Sequence, residues 1–336
     1  MKKSLNEMIL VTTDQGSMPL QDDFDLDRKN VDRAIMDKVT VGLNYPCYPQ
    51  LPGSSSKPMN MALQFLRPLS QTNPSIQITG QEAHLLSDNI EEPSDVIGVE
   101  RAEYFLKFLR EHDLDSRVKG TKACITGPFT LAANLDLSNV MKCGASKPHV
   151  VRDLAAVLAK SCKRLSDLGF DFVCIDEPFL SIMLGRKGEV LFKYDEQFVV
   201  DILNSLITQL SCLSAIHVCG RITPLVKTVL LESATDIVDH EFSEVRENIK
   251  AYSRGDLEQA DKFLAYGCAS SINQTVETVE EISASLRNAM SVYGERILVK
   301  PDCGFAGMIG VPGAYGIVQR KLGNMVAGAK IVHDDI

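Results

Sequence analysis

The sequence predicts an α/β protein of the (β/α)8 TIM-barrel type, built as one domain over residues 1–336. Three observations point there. Short apolar strands alternate with amphipathic helices through the second half, a pattern that makes parallel sheet. The residues that look chemically loaded sit at the C-terminal ends of those strands. At 336 residues and 45% apolar content, the chain is long enough for one such domain. An open doubly wound sheet is the second architecture compatible with the pattern.

The elements follow in chain order. Residues 8–13 read as a first strand, followed by Gly16-Ser17-Met18-Pro19. Residues 31–39 and 99–111 have helical periodicity. Between them, residues 42–58 carry Pro46, Pro49, Pro52 and Pro58 with little periodicity, and read as an elaborated loop over the active face. The second strand is placed at 76–79 or near Val96. Strands then follow at 122–126, 172–175, 215–218, 236–239, 263–266 and 297–300. Val151, Leu154, Ala155, Leu158, Cys162 and Leu165 recur at helical spacing, with Gly169 as a left-handed stop. Thr223-Pro224 is an N-cap and first-turn proline opening a helix over 224–232. A helix over 275–293 ends at Gly294.

Composition narrows the function. Acidic residues outnumber basic ones, 44 to 35, for a net charge of −9, and no dense Lys/Arg run occurs. Nucleic acid and anionic membrane are therefore poor partners. Nine scattered cysteines suit free thiols in a reducing cytoplasm. No apolar run is long enough for a signal peptide or a membrane span.

Two motifs carry chemistry: Ile216-His217-Val218-Cys219-Gly220 and Pro301-Asp302-Cys303-Gly304, both at predicted strand ends. Residues two apart on a strand share a face, so His217 and Cys219 point the same way. Asp239-His240-Glu241-Phe242 ends the strand between them. His217, Cys219, Glu241 and Cys303 thus converge on one rim. Imidazole plus thiolate selects Zn2+ over magnesium or calcium. A carboxylate is the ligand most easily displaced, so Glu241 can give way to a substrate thiol, which the ion then activates. His240, beside Glu241, faces the other way and is expected to be structural. The bland alternative is that Cys219 is a small buried hydrophobe.

These residues resemble the catalytic C-terminal half of cobalamin-independent methionine synthase. In that family a His-X-Cys, a Glu 22 residues after the Cys, and the Cys of Pro-Asp-Cys-Gly bind zinc. The resemblance extends to Ile175-Asp176-Glu177-Pro178, Thr126-Gly127-Pro128-Phe129-Thr130, Gly16-Ser17-Met18-Pro19 and Asn324-Met325-Val326-Ala327. It implies zinc on His217, Cys219, Glu241 and Cys303. It also implies that Asp176 holds the amino group of homocysteine and that Ser17 contacts the same substrate. The family's second amino-binding carboxylate has two candidates, Asp95 and Glu100. The chain departs from the family at Tyr266-Gly267-Cys268-Ala269-Ser270, where Ala269 replaces a histidine and Gly267 an aspartate. That histidine is implicated in protonating the folate nitrogen. A tertiary amine needs a proton to leave, whereas a corrinoid does not. The expectation is therefore methyl transfer to homocysteine from methylcobalamin, on its own or on a corrinoid protein, as in short single-barrel members. The alternatives are a coenzyme M-type thiol methyltransferase, a 5-methyltetrahydrofolate-dependent enzyme, or a non-catalytic zinc scaffold.

Overall fold

The computed structural model describes residues 4–19, 28–51, 59–136, 141–185, 192 and 194–336. The first helix, α1, is Arg28–Thr40, and α2 is Leu63–Thr72. A short hairpin follows, with β1 at Ile76–Thr79 antiparallel to β2 at Glu82–Leu85. After α3, Glu100–Glu111, the chain settles into strand–helix alternation. Strands β3 (Lys122–Thr126), β4 (Phe172–Asp176), β5 (Leu213–His217), β6 (Ile237–Glu241), β7 (Phe263–Ala269) and β8 (Ile297–Pro301) form one parallel sheet in that order. Between and after them come α4 (Pro128–Asn134), α5 (Pro148–Asp167), α6 (Leu180–Met183), α7 (Glu196–Ile207), α8 (Pro224–Glu232), α9 (Arg254–Gln259), α10 (Val279–Tyr293) and α11 (Ala314–Asp334).

Local chemistry explains the boundaries. Thr223 accepts a hydrogen bond from Val226 N and Pro224 opens α8, as its spacing predicts. Thr278 caps α10 in the same way, and Gly294 ends it with φ +70°. Gly169, after α5, has φ +94°. The strands are buried along nearly their whole length, because helices cover the sheet.

The first half corrects the sequence reading. Residues 76–79 do form a strand, but it pairs only within its own hairpin. The piece near Val96 lies in no strand. Two short segments extend the sheet edges, one of them inside the strand expected at residues 8–13. Thr13 N donates to Val299 O at 2.9 Å beside β8, and Tyr45 N donates to Thr12 O at 3.0 Å. Tyr48 N in turn donates to Lys122 O at 3.3 Å on β3. The segment around Tyr45–Tyr48 was expected to be loop because Pro46 and Pro49 break its pattern. Proline removes a donor yet permits extended backbone, and a few ladder bonds suffice here. Residues 52–58 of the expected loop lie outside the described residues.

A buried ion pair fixes this join. Lys38 Nζ lies 2.6 Å from Asp14 Oδ2 and also donates to Gly16 O and Cys47 O. Asp14 accepts from the Gly16 and Cys47 amides as well. The knot holds the turn at Gly16 (φ +85°) and so aims Ser17. Lys38→Met strands a buried carboxylate, and is expected to cost about 3–5 kcal/mol in urea unfolding. A loss below about 1 kcal/mol would show that the pair does not hold the join.

Candidate metal centre

The C-terminal ends of β4, β5, β6 and β8 open into one cavity of about 520 Å³. Its lining includes Ser17, Asp176, His217, Cys219, Glu241 and Cys303. His217 is the last residue of β5, and Cys219 lies just beyond it. His217 Nε2 is 2.9 Å from Cys219 Sγ, which is 3.4 Å from Cys303 Sγ. One nitrogen and two sulfurs thus lie within 4.8 Å of one another. This donor set fits a borderline-soft ion such as zinc, and a hard oxygen-seeking cation poorly.

Glu241 departs from the expected arrangement. It lines the same cavity but stands outside that trio of donor atoms. Its Oε1 accepts a hydrogen bond from Gly220 N at 2.5 Å. Gly220 has φ +83°, and the turn it makes points its N–H at the neighbouring strand end. The carboxylate is therefore next to the sulfurs but engaged by backbone.

Each donor is positioned by residues that the sequence reading did not single out. His217 Nδ1 is 2.6 Å from the Asp239 carboxylate, which leaves Nε2 facing the sulfurs. Lys300 Nζ reaches the same carboxylate at 2.8 Å, and Lys122 Nζ lies 3.8 Å from it. All three are fully buried. Burial alone would depress the imidazole and raise the carboxyl. Asp239 instead lifts His217 to about 10, while Lys300 and His217 hold Asp239 well below the usual carboxylate range. The hydrogen bond between the two thiols drives them apart, raising Cys219 and lowering Cys303, with His217 and Lys300 adding to the drop at Cys303.

Lys300 also donates to Pro301 O and Asp302 O, which shapes the turn that carries Cys303. Asp302 accepts from the amides of Phe242, Ser243 and Glu244, tying that turn to the end of β6. A Cβ at Gly267 would lie 2.5 Å from Asp302 Oδ1, so glycine there leaves room for this clamp.

Asp176, at the end of β4, borders the cavity. Gln15 Nε2 donates to its Oδ1 at 3.0 Å, and Lys122 donates to Gln15 Oε1. Burial pushes the Asp176 carboxyl up to about 6 against the pull of His217 and Lys122. Ser17 Oγ accepts from Ala306 N at 3.2 Å, across from Gly304. Asp95 and Glu100 are exposed and do not line the cavity. Glu177 faces away from it and accepts from Phe129 N, Thr130 N and Thr130 Oγ1, which staples β4 to α4.

His240 is structural in its contacts, as expected. It bonds Val218 O through Nδ1 and Tyr252 OH through Nε2, and burial lowers its pKa to about 3. A histidine depressed below its ordinary value of 6.5 favours the fold above that value, and the contribution is lost as pH falls toward 3. Stability is expected to drop as pH falls below about 6.5, by at most ~1.4 kcal/mol per pH unit from this group. The slope should be smaller in His240→Gln; an unchanged slope would assign it elsewhere.

Signals for the positioning residues exist in the sequence. Lys122 and Lys300 are charges inside apolar strands, and Asp239 shares the face of Glu241 two residues on. A buried lysine needs an acid, and Asp239 on β6 is the one that the side chains of both lysines approach.

Comparison with known proteins decides the family. Residues 87–331 match the model of the cobalamin-independent synthase catalytic domain, a range that includes Asp176, His217, Cys219, Asp239, Glu241, Lys300 and Cys303 but not Gln15 or Ser17. The chain belongs to that family. It is a methyltransferase, so the non-catalytic scaffold reading falls. A methionine synthase of Methanothermobacter thermautotrophicus is 29% identical over 221 residues, covering 66% of this chain and 67% of that protein. In fold, the chain resembles a B12-independent methionine synthase from Shewanella sp. W3-18-1 in complex with selenomethionine. The TM-score is 0.68 at 18% identity, over 97% of this chain and 98% of that one. A methyltransferase from Methanosarcina mazei matches with a TM-score of 0.63 at 14% identity, over 91% and 86%.

Family membership overturns the expected donor. The family is cobalamin-independent, so the methylcobalamin cofactor and corrinoid partner are withdrawn. The inference from Ala269 assumed that the acid must come from that strand. A missing acid on one strand does not exclude protonation from elsewhere around a cavity. No helix among the described residues is long and apolar enough to cross a membrane.

Proposed function

We propose that this chain is a zinc-dependent methyltransferase that forms methionine from homocysteine, with 5-methyltetrahydrofolate as the methyl donor. The observation that carries the proposal is the convergence of His217, Cys219 and Cys303, beside Asp176, in one cavity. In this reading the two edge segments at residues 11–13 and 45–48 complete a closed barrel of one domain. Their hydrogen bonds to β8 and β3 support that reading.

His217, Cys219 and Cys303 would hold the zinc, with Glu241 as the exchangeable fourth donor. When bound, the ion supplies Lewis acidity that lets the substrate thiol lose its proton near neutral pH. Asp239 keeps His217 in the tautomer whose Nε2 faces the cavity. Asp176, held by Gln15, pairs with the ammonium of homocysteine and fixes its sulfur within reach of the donor. Apolar wall residues, among them Met18, Met61 and Pro178, keep water from the reacting methyl group. The substrate sulfur attacks the methyl carbon, a C–S bond replaces the C–N bond, and the leaving nitrogen takes up a proton. The amine distinguishes homocysteine from coenzyme M, which carries no ammonium for Asp176.

The test is methionine formation by the zinc-loaded protein from homocysteine and 5-methyltetrahydrofolate. No turnover with that pair would overturn the proposal. Asp176→Asn is expected to raise KM for homocysteine by about 10–100-fold, the loss of one charge-assisted contact of roughly 1.5–3 kcal/mol. An unchanged KM would remove Asp176 from substrate binding.

A further inference from the structure

Beneath the cavity floor lies a second group of sulfurs. Cys47, Cys124 and Cys174 come from three neighbouring members of the sheet, the 45–48 segment, β3 and β4. Cys124 and Cys174 are partners in register. All three are fully buried. Cys47 Sγ is 3.5 Å from Cys124 Sγ. Donor atoms of Cys124, Cys174 and Asp176 lie within 4.8 Å of one another. Gln15 closes the layer from above, its amide 3.6 Å from Cys174 Sγ and 3.0 Å from Asp176. None of the three thiols has a part in the mechanism above.

We propose that Cys124 and Cys174, with Cys47 alongside, form a second metal site, selective for a soft monovalent cation of the copper(I) type. Three arguments favour that class. Thiolate ligands select soft ions. Cys47 lies outside the mutually close trio, and Asp176 is already engaged, so the site offers two or three sulfurs rather than a full tetrahedron. Two thiolates and one monovalent cation carry a net −1, which the neighbouring Lys122 ammonium balances. Binding releases the two thiol protons and forms metal–sulfur bonds without oxidation or reduction. The ion enters through the cavity once the Gln15 side chain moves aside.

Silver(I) is the probe. The protein is first loaded with zinc and freed of excess, then given silver(I) and passed through gel filtration, and both metals are counted. The expected result is one silver per chain retained alongside zinc. Cys124→Ala and Cys174→Ala should each lose that silver while keeping zinc and a cooperative thermal transition. Cys219→Ser should keep it while losing zinc, so the outcome does not depend on the proposed catalytic role. Parent protein should melt at higher temperature with one equivalent of silver(I), and Cys124→Ala should show no such shift. Silver that binds only by displacing zinc, or that survives both alanine replacements, would overturn the proposal.

Discussion

Cys303→Ser is expected to strip the zinc and reduce methionine formation below about 1% of the parent enzyme. The reason is geometric. Cys303 Sγ is 3.4 Å from Cys219 Sγ, and the two sulfurs with His217 Nε2 make the compact donor set. Hydroxyl oxygen is a harder and weaker donor for zinc than thiolate. Losing a partner that only orients a ligand costs roughly 10–100-fold in affinity or activity, and losing the ligand itself should exceed that. Metal content after dialysis and turnover are measured on the same sample. X-ray absorption at the zinc edge of the parent enzyme should gain a sulfur neighbour when homocysteine is added. A Cys303→Ser protein that keeps one zinc and its activity would end the proposed metal centre. The fold should survive, since Cys303 is only partly buried and Asp302 carries the clamp to β6.

Asp239→Asn is expected to have the second-largest effect, and to act on both function and stability. The carboxylate orients His217 and is the shared counter-charge of Lys300 and Lys122. As an amide it can still accept one hydrogen bond but carries no charge. Zinc affinity and turnover should fall by about 10–100-fold. Stability should fall by about 3–5 kcal/mol, because two buried ammoniums lose their acid. The carbonyls of Pro301 and Asp302 still serve Lys300, which favours the lower end. Adding Lys300→Met separates the two effects. The double variant should regain part of the stability, since one unpaired charge is gone, without regaining the metal affinity. Urea unfolding and competitive zinc titration read the two quantities. Equal recovery of both would mean that Asp239 acts through charge alone and does not orient the imidazole.

The motifs that carry the converging donor atoms were readable because each is local. His217 and Cys219 are two residues apart, and Cys303 follows Pro-Asp at a strand end. The strands β3 to β8 were readable too, since apolar runs bounded by capped helices leave little ambiguity. Their predicted ends fall within two or three residues of the observed ones. The first half was readable only in part. The helices near 31–39 and 99–111 and the segment within 8–13 were readable, but the 45–48 edge segment was not. It makes a handful of hydrogen bonds and contains Pro46, so neither length nor alternation marks it. Asp95 and Glu100 were candidates for the family's second carboxylate, and the chain carries both to the surface. The donor was misjudged by reading one substituted position, Ala269, as the absence of a proton source.

By itself the sequence determined the strand–helix alternation, the identity of the three converging donors and the family. Periodicity and short motifs are properties of neighbouring residues, and survive without knowledge of what lies opposite. Tertiary structure alone decided what surrounds those donors. It brings Asp239, Lys300 and Lys122 together from three strands, turns Glu241 toward the Gly220 amide, and lays three thiols in one buried layer. Such groupings depend on register between strands distant in sequence, which hydrogen bonding across the sheet fixes and residue spacing does not encode.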